Sequence, residues 1–411
     1  MTVLGMGTLA ALVTVAWQQS DIGRAAGDLE KQRAAARREG VPLEWSDLRR
    51  LSAPLPDVDN AAIEYGRGFA LLHEAGNFKG VPMGRLLQAY ADGTAKPEDV
   101  AKAREALTLT ESALAEIARG TQKPGFWMNR QWERGPALMF PELTDARSAA
   151  RGLVLRAMMS QDPKAAADDL RTAARLGAHI GAEPILFSSL VSFAIESNVH
   201  TGLRYLGRRG GAWAKAMEPV LKSLGPLPDL HRTLAGEVAM GNHLSDELAK
   251  FGPGAFSPMD GHETPTPLRF TGLKPVRDAF QSRVLEHWRK VYSALPKDPL
   301  DLSASRAATS IPVPSGPSQA LLDLALPVLT SAGNLAAATE TQRRLSRAAL
   351  DLWEGKTPTL PRDPFGKGPL LLKREGKAWT LWSVGEDGVD DHAKTKQKES
   401  DPRYDLVVTS N

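Results

Sequence analysis

Cysteine is missing from all 411 residues. Its absence excludes disulfides, thiolate nucleophiles, cysteine-ligated zinc and iron–sulfur clusters. It leaves the compartment open, because a chain of this length can bury a core without cross-links. There is also no strong excess of one charge: 51 Lys and Arg stand against 48 Asp and Glu, a formal net charge of +3. The densest basic cluster, Arg33, Arg37 and Arg38, is diluted by Asp28, Glu30 and Glu39. A nucleic-acid binder concentrates Lys and Arg on one face, so no nucleic-acid partner is expected. Histidine is sparse, with eight residues and no His-x-x-x-His pair. Ser188-Ser189 lacks a Gly-x-Ser-x-Gly setting, and Gly207-Arg208-Arg209-Gly210 forms no phosphate-binding loop.

A full-length transmembrane run is absent too. The sixteen residues Thr2–Trp17 carry no charge and are mostly Leu, Val, Ala, Gly and Met. At 1.5 Å per residue they span about 24 Å, short of the roughly 30 Å hydrocarbon core. No Lys or Arg precedes them in this sequence, so a basic n-region, if the segment has one, would lie upstream of its first residue, while Trp17 suits an interfacial anchor. The expectation is membrane attachment through residues 2–17, with an apolar helix tucked into the protein as the other reading.

What is present is mostly helical pattern. Ile22–Arg38 reads as a charged helix rich in good formers, ended by Gly40-Val41-Pro42. Asp59 or Asn60 is placed to cap a helix over Ala61–Glu74. Pro97-Glu98-Asp99 opens a long one running to Ala118. Leu143–Met159 shows helical apolar spacing. Asp162-Pro163 then supplies a cap and a first-turn proline for Lys164–Leu176. Glu183-Pro184 starts another helix over Ile185–Glu196. The short links imply antiparallel neighbours, and no 34-residue repeat recurs. Phe280–Tyr292 and Ala320–Trp353 are helical as well, the latter broken near Gly333-Asn334. After Gly355 the period changes: Leu370–Arg374 and Trp379–Val384 read as strands joined by Glu375-Gly376-Lys377, with Asp405–Thr409 as a third.

The fold class is therefore mainly α: an irregular multi-helical array with an N-terminal apolar helix and a small C-terminal α+β module holding a short antiparallel sheet. The expected divisions are an apolar anchor or signal-like helix over 1–20, the array over 21–300, a Pro/Ser-rich linker over 301–319, and a helix plus β module with an acidic turn over 320–411.

That turn carries the sharpest chemical signal. Asp387, Asp390 and Asp391 sit among glycines after Trp382-Ser383-Val384-Gly385, and Asp405 precedes the last strand. Calcium takes six to eight oxygens from carboxylates, carbonyls and water, and these four acids are the candidate ligands. The competing reading is a tight turn whose Asp side chains cap backbone N–H groups, with Lys394, Lys396 and Lys398 offsetting the charge. The pieces Asp363-Pro364-Phe365-Gly366, Trp382-Ser383-Val384-Gly385-Glu386-Asp387-Gly388 and Tyr404-Asp405-Leu406 resemble the C-terminal segment of type II secretion major pseudopilins and similar tails of planctomycete and verrucomicrobial envelope proteins. The resemblance covers about residues 340–409. It implies a structural Ca²⁺ held first by Asp387 and Asp405, then by Asp390 and Asp391.

Other clusters have plainer readings. Asp168-Asp169, Glu183 and Glu196 can be drawn as a glycosidase-like carboxylate pair, but solvated faces and caps account for them. His179 at a helix end suits capping or packing. His243 and His262 lie near Asp246, Asp260 and Glu263, a conceivable metal group. Phe126–Pro136, aromatic and basic, either lines a groove or plugs a helix junction with Trp127 and Trp132.

The expected function is a non-catalytic, envelope-associated structural or interaction protein with a protein partner, accessory to a secretion or pilus-like assembly. It is expected at the bacterial inner membrane with its bulk facing the periplasm. The alternatives are a periplasmic hydrolase using acids of the helical region, and a soluble cytoplasmic helical binding module.

Overall fold

Small residues set the spacing of the central helices. The computed structural model describes residues 22–251, 274–313, 317–394 and 405–410. A helix over 22–39 (α1) is followed by α2 (Trp45–Leu51), α3 (Ala62–Glu74), the single turn α4 (Gly76–Lys79), α5 (Met83–Ala91), α6 (Pro97–Leu109) and α7 (Glu111–Gly120). A 3₁₀ turn at Trp132–Ala137 leads into α8 (Pro141–Met159), α9 (Pro163–Ile180), α10 (Leu186–Gly207) and α11 (Gly211–Lys222). Then come α12 (Leu230–Phe251), α13 (Lys274–Ala294), α14 (Leu302–Thr309) and α15 (Pro317–Trp353). Three strands close the chain, β1 (Leu371–Glu375), β2 (Ala378–Ser383) and β3 (Leu406–Thr409). The protein is mainly helical with a small antiparallel sheet, in the order β1-β2-β3. The expected apolar helix over residues 2–17 lies outside the described residues. No described helix is long and apolar enough to cross a membrane.

The main core lies among α3 to α11. Ala146, Ala149, Ala150, Leu153 and Val154 of α8 meet Leu170 and Ala173 of α9 and Val199 and Leu203 of α10, all fully enclosed. A β-carbon on Gly202 would stand 2.9 Å from both Leu170 and Val154, so α10 approaches its neighbours more closely than alanine would allow. Each enclosed Leu here contributes about 1.5–3 kcal/mol. Asp162 accepts from Lys164 N at 2.9 Å and Pro163 takes the first turn, so α9 starts where its cap chemistry places it. Around α4, Gly76 to Gly80 all have positive φ, 69, 46, 62, 51 and 70°. This left-handed turn drives the buried Phe78 ring onto Gly152, where no side chain competes.

A second core joins α1, α12, α13 and α14 through Ala36, Val238, Val284, Trp288 and Ala308. A third packs Leu345, Ala349 and Leu352 of α15 under Trp379, Leu381 and Val408 of the sheet and Leu370 just before it.

Three expectations change. The long helix from Pro97 breaks at Thr110, whose hydroxyl turns back onto the Ala106 and Leu107 carbonyls at 2.9 and 3.2 Å. This local bond competes with helix continuation. The segment read as a linker over 301–319 contains α14, capped by Asp301 on Ala304 N at 3.0 Å and packed on α13 and α15. Prolines flank that helix without entering it. Finally, α15 runs unbroken through Gly333-Asn334. A β-carbon on Gly333 would stand 3.7 Å from Ser305 Cβ of α14, an ordinary contact, so the helix simply carries this glycine through.

Candidate functional site

The C-terminal module is assembled by aspartates that bind backbone. β1 and β2 form a hairpin over Gly376-Lys377, with Glu375 opposite Ala378 and Gly376 at φ 64°. A two-residue turn of this kind needs positive φ at its first central position. Asp363 is 1% exposed and lies beneath the end of β2. Its carboxylate accepts from Ser383 Oγ at 2.7 Å, Val384 N at 2.9 Å and Phe365 N at 3.0 Å. Its own N–H donates to Gly368 O at 2.8 Å, closing the loop 361–369. Asp390 accepts from the Trp382 indole Nε1 at 3.0 Å and from His392 N at 2.9 Å. The indole bond holds the Asp390 carboxyl below the usual carboxylate range. Asp405, 2% exposed, accepts from Ala393 N at 2.7 Å and Asp391 N at 3.5 Å. These bonds hold His392 and Ala393 at φ 59 and 66°, a left-handed pair that L-residues rarely adopt. Burial pushes Asp405 up; the two N–H groups pull it down, and the charges of Asp390 and Asp391 add to the rise. Asp387 accepts from Val389 N at 3.0 Å.

The four sequence candidates thus divide. Asp390, Asp391 and Asp405 share one electrostatic neighbourhood, whereas Asp387 lines a cleft with loop 361–369. No group of three or more His, Asp or Glu side chains among the described residues is arranged to hold a metal ion. One atom suits a cation: Asp391 Oδ2 is buried without a hydrogen-bond partner. Lys396, Lys398 and Tyr404 lie outside the described residues. Asp363 was not singled out by sequence as a ligand or a site. Its signal was the Asp-Pro-x-Gly turn spelling at 363–366, where an Asp side chain caps the chain two residues on.

The cleft beside Asp387 has a volume of about 1070 Å³ and lies between α14, α15 and the C-terminal loops. Both sides are tied together. Arg306 donates to Glu386 O at 3.1 Å and to Asn334 Oδ1 at 3.3 Å, and Asn334 Nδ2 donates to the Glu386 carboxylate. Arg344 donates to Arg362 O at 2.6 Å, and Trp353 and Trp379 pack with ring centroids 5.5 Å apart. The lining acids Glu386 and Asp387 are engaged by neutral donors, while Arg362 and Lys367 line the cleft exposed and hold no carboxylate among the described residues.

In the helical half, the candidate acids go to separate arginines. Glu183 takes Arg130 in a two-pronged pair at 2.8 and 2.5 Å, with Glu142 on the same guanidinium at 2.6 Å and the Phe140 ring 4.7 Å away. Burial pushes the Glu183 carboxyl up and Arg130 opposes this. Glu196 pairs with Arg343 at 2.5 and 2.8 Å and lies 3.3 Å from His200 Nε2. Burial opposes its charged form, but the Arg343 and His200 bonds win and hold it below the usual range. Asp169 takes Arg156, and exposed Asp168 pairs with Arg171. His179 meets Tyr65 OH at 2.7 Å, and burial pushes its pKa down to about 4, so it packs as a neutral ring. Trp132 packs with Leu48, Ile185 and Ala239, and Trp127 Nε1 donates to Ser52 O at 2.8 Å; both Trp residues of the 126–136 stretch join elements. The His243 side chain and His262 lie outside the described residues.

Compared with protein-family models, curated proteins and solved structures, the chain matches none.

Proposed function

We propose that the chain is a non-catalytic, envelope-associated interaction protein. In this reading residues 2–17 attach it to the bacterial inner membrane, and the described bulk faces the periplasm as an accessory to a secretion or pilus-like assembly. The observation that carries it is the cleft between α14–α15 and the C-terminal loops. It is bounded by a docked module, lined by both signs of charge, and edged by Arg362 and Lys367, which hold no carboxylate among the described residues. Such a lining suits an extended, mixed-charge segment of a protein partner, for which ion pairs set register and specificity. The pairs of Arg130, Arg156 and Arg343 support the reading, because they tie the loops and helices of the array together and neutralise Glu142, Glu183, Asp169 and Glu196.

Fractionation tests the attachment. The full chain should sediment with inner membranes, lose that behaviour when residues 1–20 are deleted, and be digested by protease added to spheroplasts. Recovery of the full chain in the cytosol would favour the soluble helical binding module instead. A photo-crosslinking residue at Lys367 should capture a discrete envelope partner, and the capture should disappear with Arg362→Glu. Capture indifferent to Arg362 would count against the cleft.

A structural Ca²⁺ at the acidic turn belongs to the same proposal. Asp391 with the neighbouring Asp390 and Asp405 would have to draw together around it, since they form no ready-made group of three, and the unpartnered Asp391 Oδ2 is the feature that supports it. Binding to the native state alone raises stability by about 2.7 kcal/mol at a hundredfold excess over Kd. The melting temperature should therefore rise with millimolar calcium, fall with EDTA, and respond to neither in Asp405→Asn. Equal melting in calcium and EDTA retires the ion and leaves the hydrogen-bonded turn.

A further inference from the structure

We infer that a second surface, where α5, α6, α10 and α11 meet, binds a short acidic peptide segment through a platform of arginines stacked on aromatic rings. The inference rests on the reading of the chain as an interaction protein, but it concerns a site separate from the cleft. Tyr90 of α5 packs against Tyr205 of α10 with centroids 5.5 Å apart. The Arg208 guanidinium lies 5.6 Å and that of Arg209 5.3 Å from the Tyr205 ring centre, and Arg209 lies 4.3 Å from that of Trp213. Arg104 of α6 and Arg209 both bear electrostatically on Tyr90. Arg204, one turn before Arg208, is half-buried and hydrogen-bonded to the neutral Gln342 amide.

Among the described residues, Arg104, Arg204, Arg208 and Arg209 form no ion pair, and of the acids that share a surface hollow with Arg104, Asp169 is committed to Arg156. Asp169 takes Arg156 at 2.8 and 2.6 Å, and Glu111 bears on that same Arg156. Two of the four arginines are already occupied: Arg209 donates to Met158 O at 3.2 Å and Ser160 O at 3.4 Å, and Arg204 to Gln342. Arg104 and Arg208 are exposed and keep their donors for a ligand. A guanidinium held on an aromatic face has lost part of its rotamer freedom already, so less is lost when it grips a carboxylate in a two-pronged bond.

Two free guanidinia decide the partner class. A nucleic-acid site neutralises on the order of 6–10 phosphates along a track, and this surface has no such track. It suits two carboxylates a few residues apart on a peptide, with the Tyr and Trp rings packing the intervening chain.

The test is fluorescence anisotropy of a labelled hexaglutamate peptide against the full chain, with labelled hexalysine and a 20-nucleotide single-stranded DNA as comparisons. Hexaglutamate should bind, weaken as salt rises, and lose about tenfold or more in affinity in Arg208→Gln and in Arg104→Gln, each removing one charge-assisted bond. Arg171→Gln, which removes a cation already paired with Asp168, should bind as the parent does. Both test positions are exposed, so unchanged circular dichroism melts will show that folding is intact. Absence of hexaglutamate binding, binding that survives the double Gln variant, or DNA binding that is equally tight and equally sensitive to Arg208→Gln would overturn the inference. If hexaglutamate fails while Lys367 still captures an envelope partner, this surface falls and the interaction reading stands. If hexaglutamate binds and the crosslink fails, the cleft falls alone.

Discussion

The helical array and the C-terminal module bury carboxylates in opposite ways. In the array, Glu183 and Glu142 are neutralised by Arg130, and Glu196 by Arg343. In the module, Asp363 and Asp405 lie equally deep, yet their partners are backbone N–H groups and one serine hydroxyl. The first arrangement joins elements distant in sequence, with Arg130 and Glu183 reaching across the layers. The second fixes loops against the sheet within one small module, and it leaves negative charge uncancelled. Loss of a partner should therefore unfold the array as a whole but loosen the module only locally. The uncancelled charge also explains why a cation is a meaningful question at the tail and not among the helices.

The largest effect is expected at Arg130. Arg130→Met strands Glu183 and Glu142 in a dry interior, and breaking a buried pair this way costs about 3–5 kcal/mol. Urea unfolding followed by far-ultraviolet circular dichroism measures it. Adding Glu183→Leu should recover part of the loss, since an apolar replacement removes the stranded charge. A loss below about 1 kcal/mol for the single variant would mean that the array does not depend on its ion pairs.

Next comes the pH dependence set by His179, whose folded pKa of about 4 lies below its ordinary 6.5 because of burial. Protons then bind the unfolded chain preferentially. Stability contributed by the neutral ring is complete above pH 6.5 and declines as pH falls toward about 4, at about 1.4 kcal/mol per pH unit. Unfolding free energies measured from pH 7 to 4 should show this slope in the parent and a shallower one in His179→Gln. Identical slopes would assign the acid sensitivity to other groups.

Much of the fold was legible because local signals agreed with each other. Asp162-Pro163 announced α9, the alanine spacing announced α8, and the change of period after Gly355 announced the hairpin. The module's acids were legible as turn-forming residues, but their partners were not. Asp363 meets Ser383 and Val384 about twenty positions away, and only the docking of β2 brings them together. Arg130 was hidden for the same reason: nothing in Phe126–Pro136 says that a guanidinium will find Glu183 and Glu142. Helix α14 was obscured by the prolines around it, and the unbroken α15 by a Gly333-Asn334 pair that spells a break yet sits inside the helix.

Within the module, Asp363→Asn should cost about 1–3 kcal/mol, because the new amide turns an NH₂ toward a donor that the carboxylate satisfied. The change should be confined to the loops: indole fluorescence should report loosening near Trp379 and Trp382 while the far-ultraviolet signal of the helices holds. A cooperative loss of both would show that module and array unfold as one unit.

The smallest and sharpest test separates the two roles of Asp390. Trp382→Phe keeps an aromatic ring on the sheet and removes the indole N–H that reaches Asp390 at 3.0 Å, together with part of the buried ring. One hydrogen bond to a charged acceptor is at stake, partly open to solvent, so about 1 kcal/mol is expected. The bond also holds the Asp390 carboxyl below its usual range. Its stabilising contribution is present above the ordinary carboxylate pKa and disappears as pH falls through the lower folded value. The difference between parent and variant should therefore be larger at pH 7 than in acid, where only the lost ring packing remains. If the difference is the same at pH 2 as at pH 7, ring packing accounts for all of it, and the turn at His392-Ala393 stands on Asp405 alone.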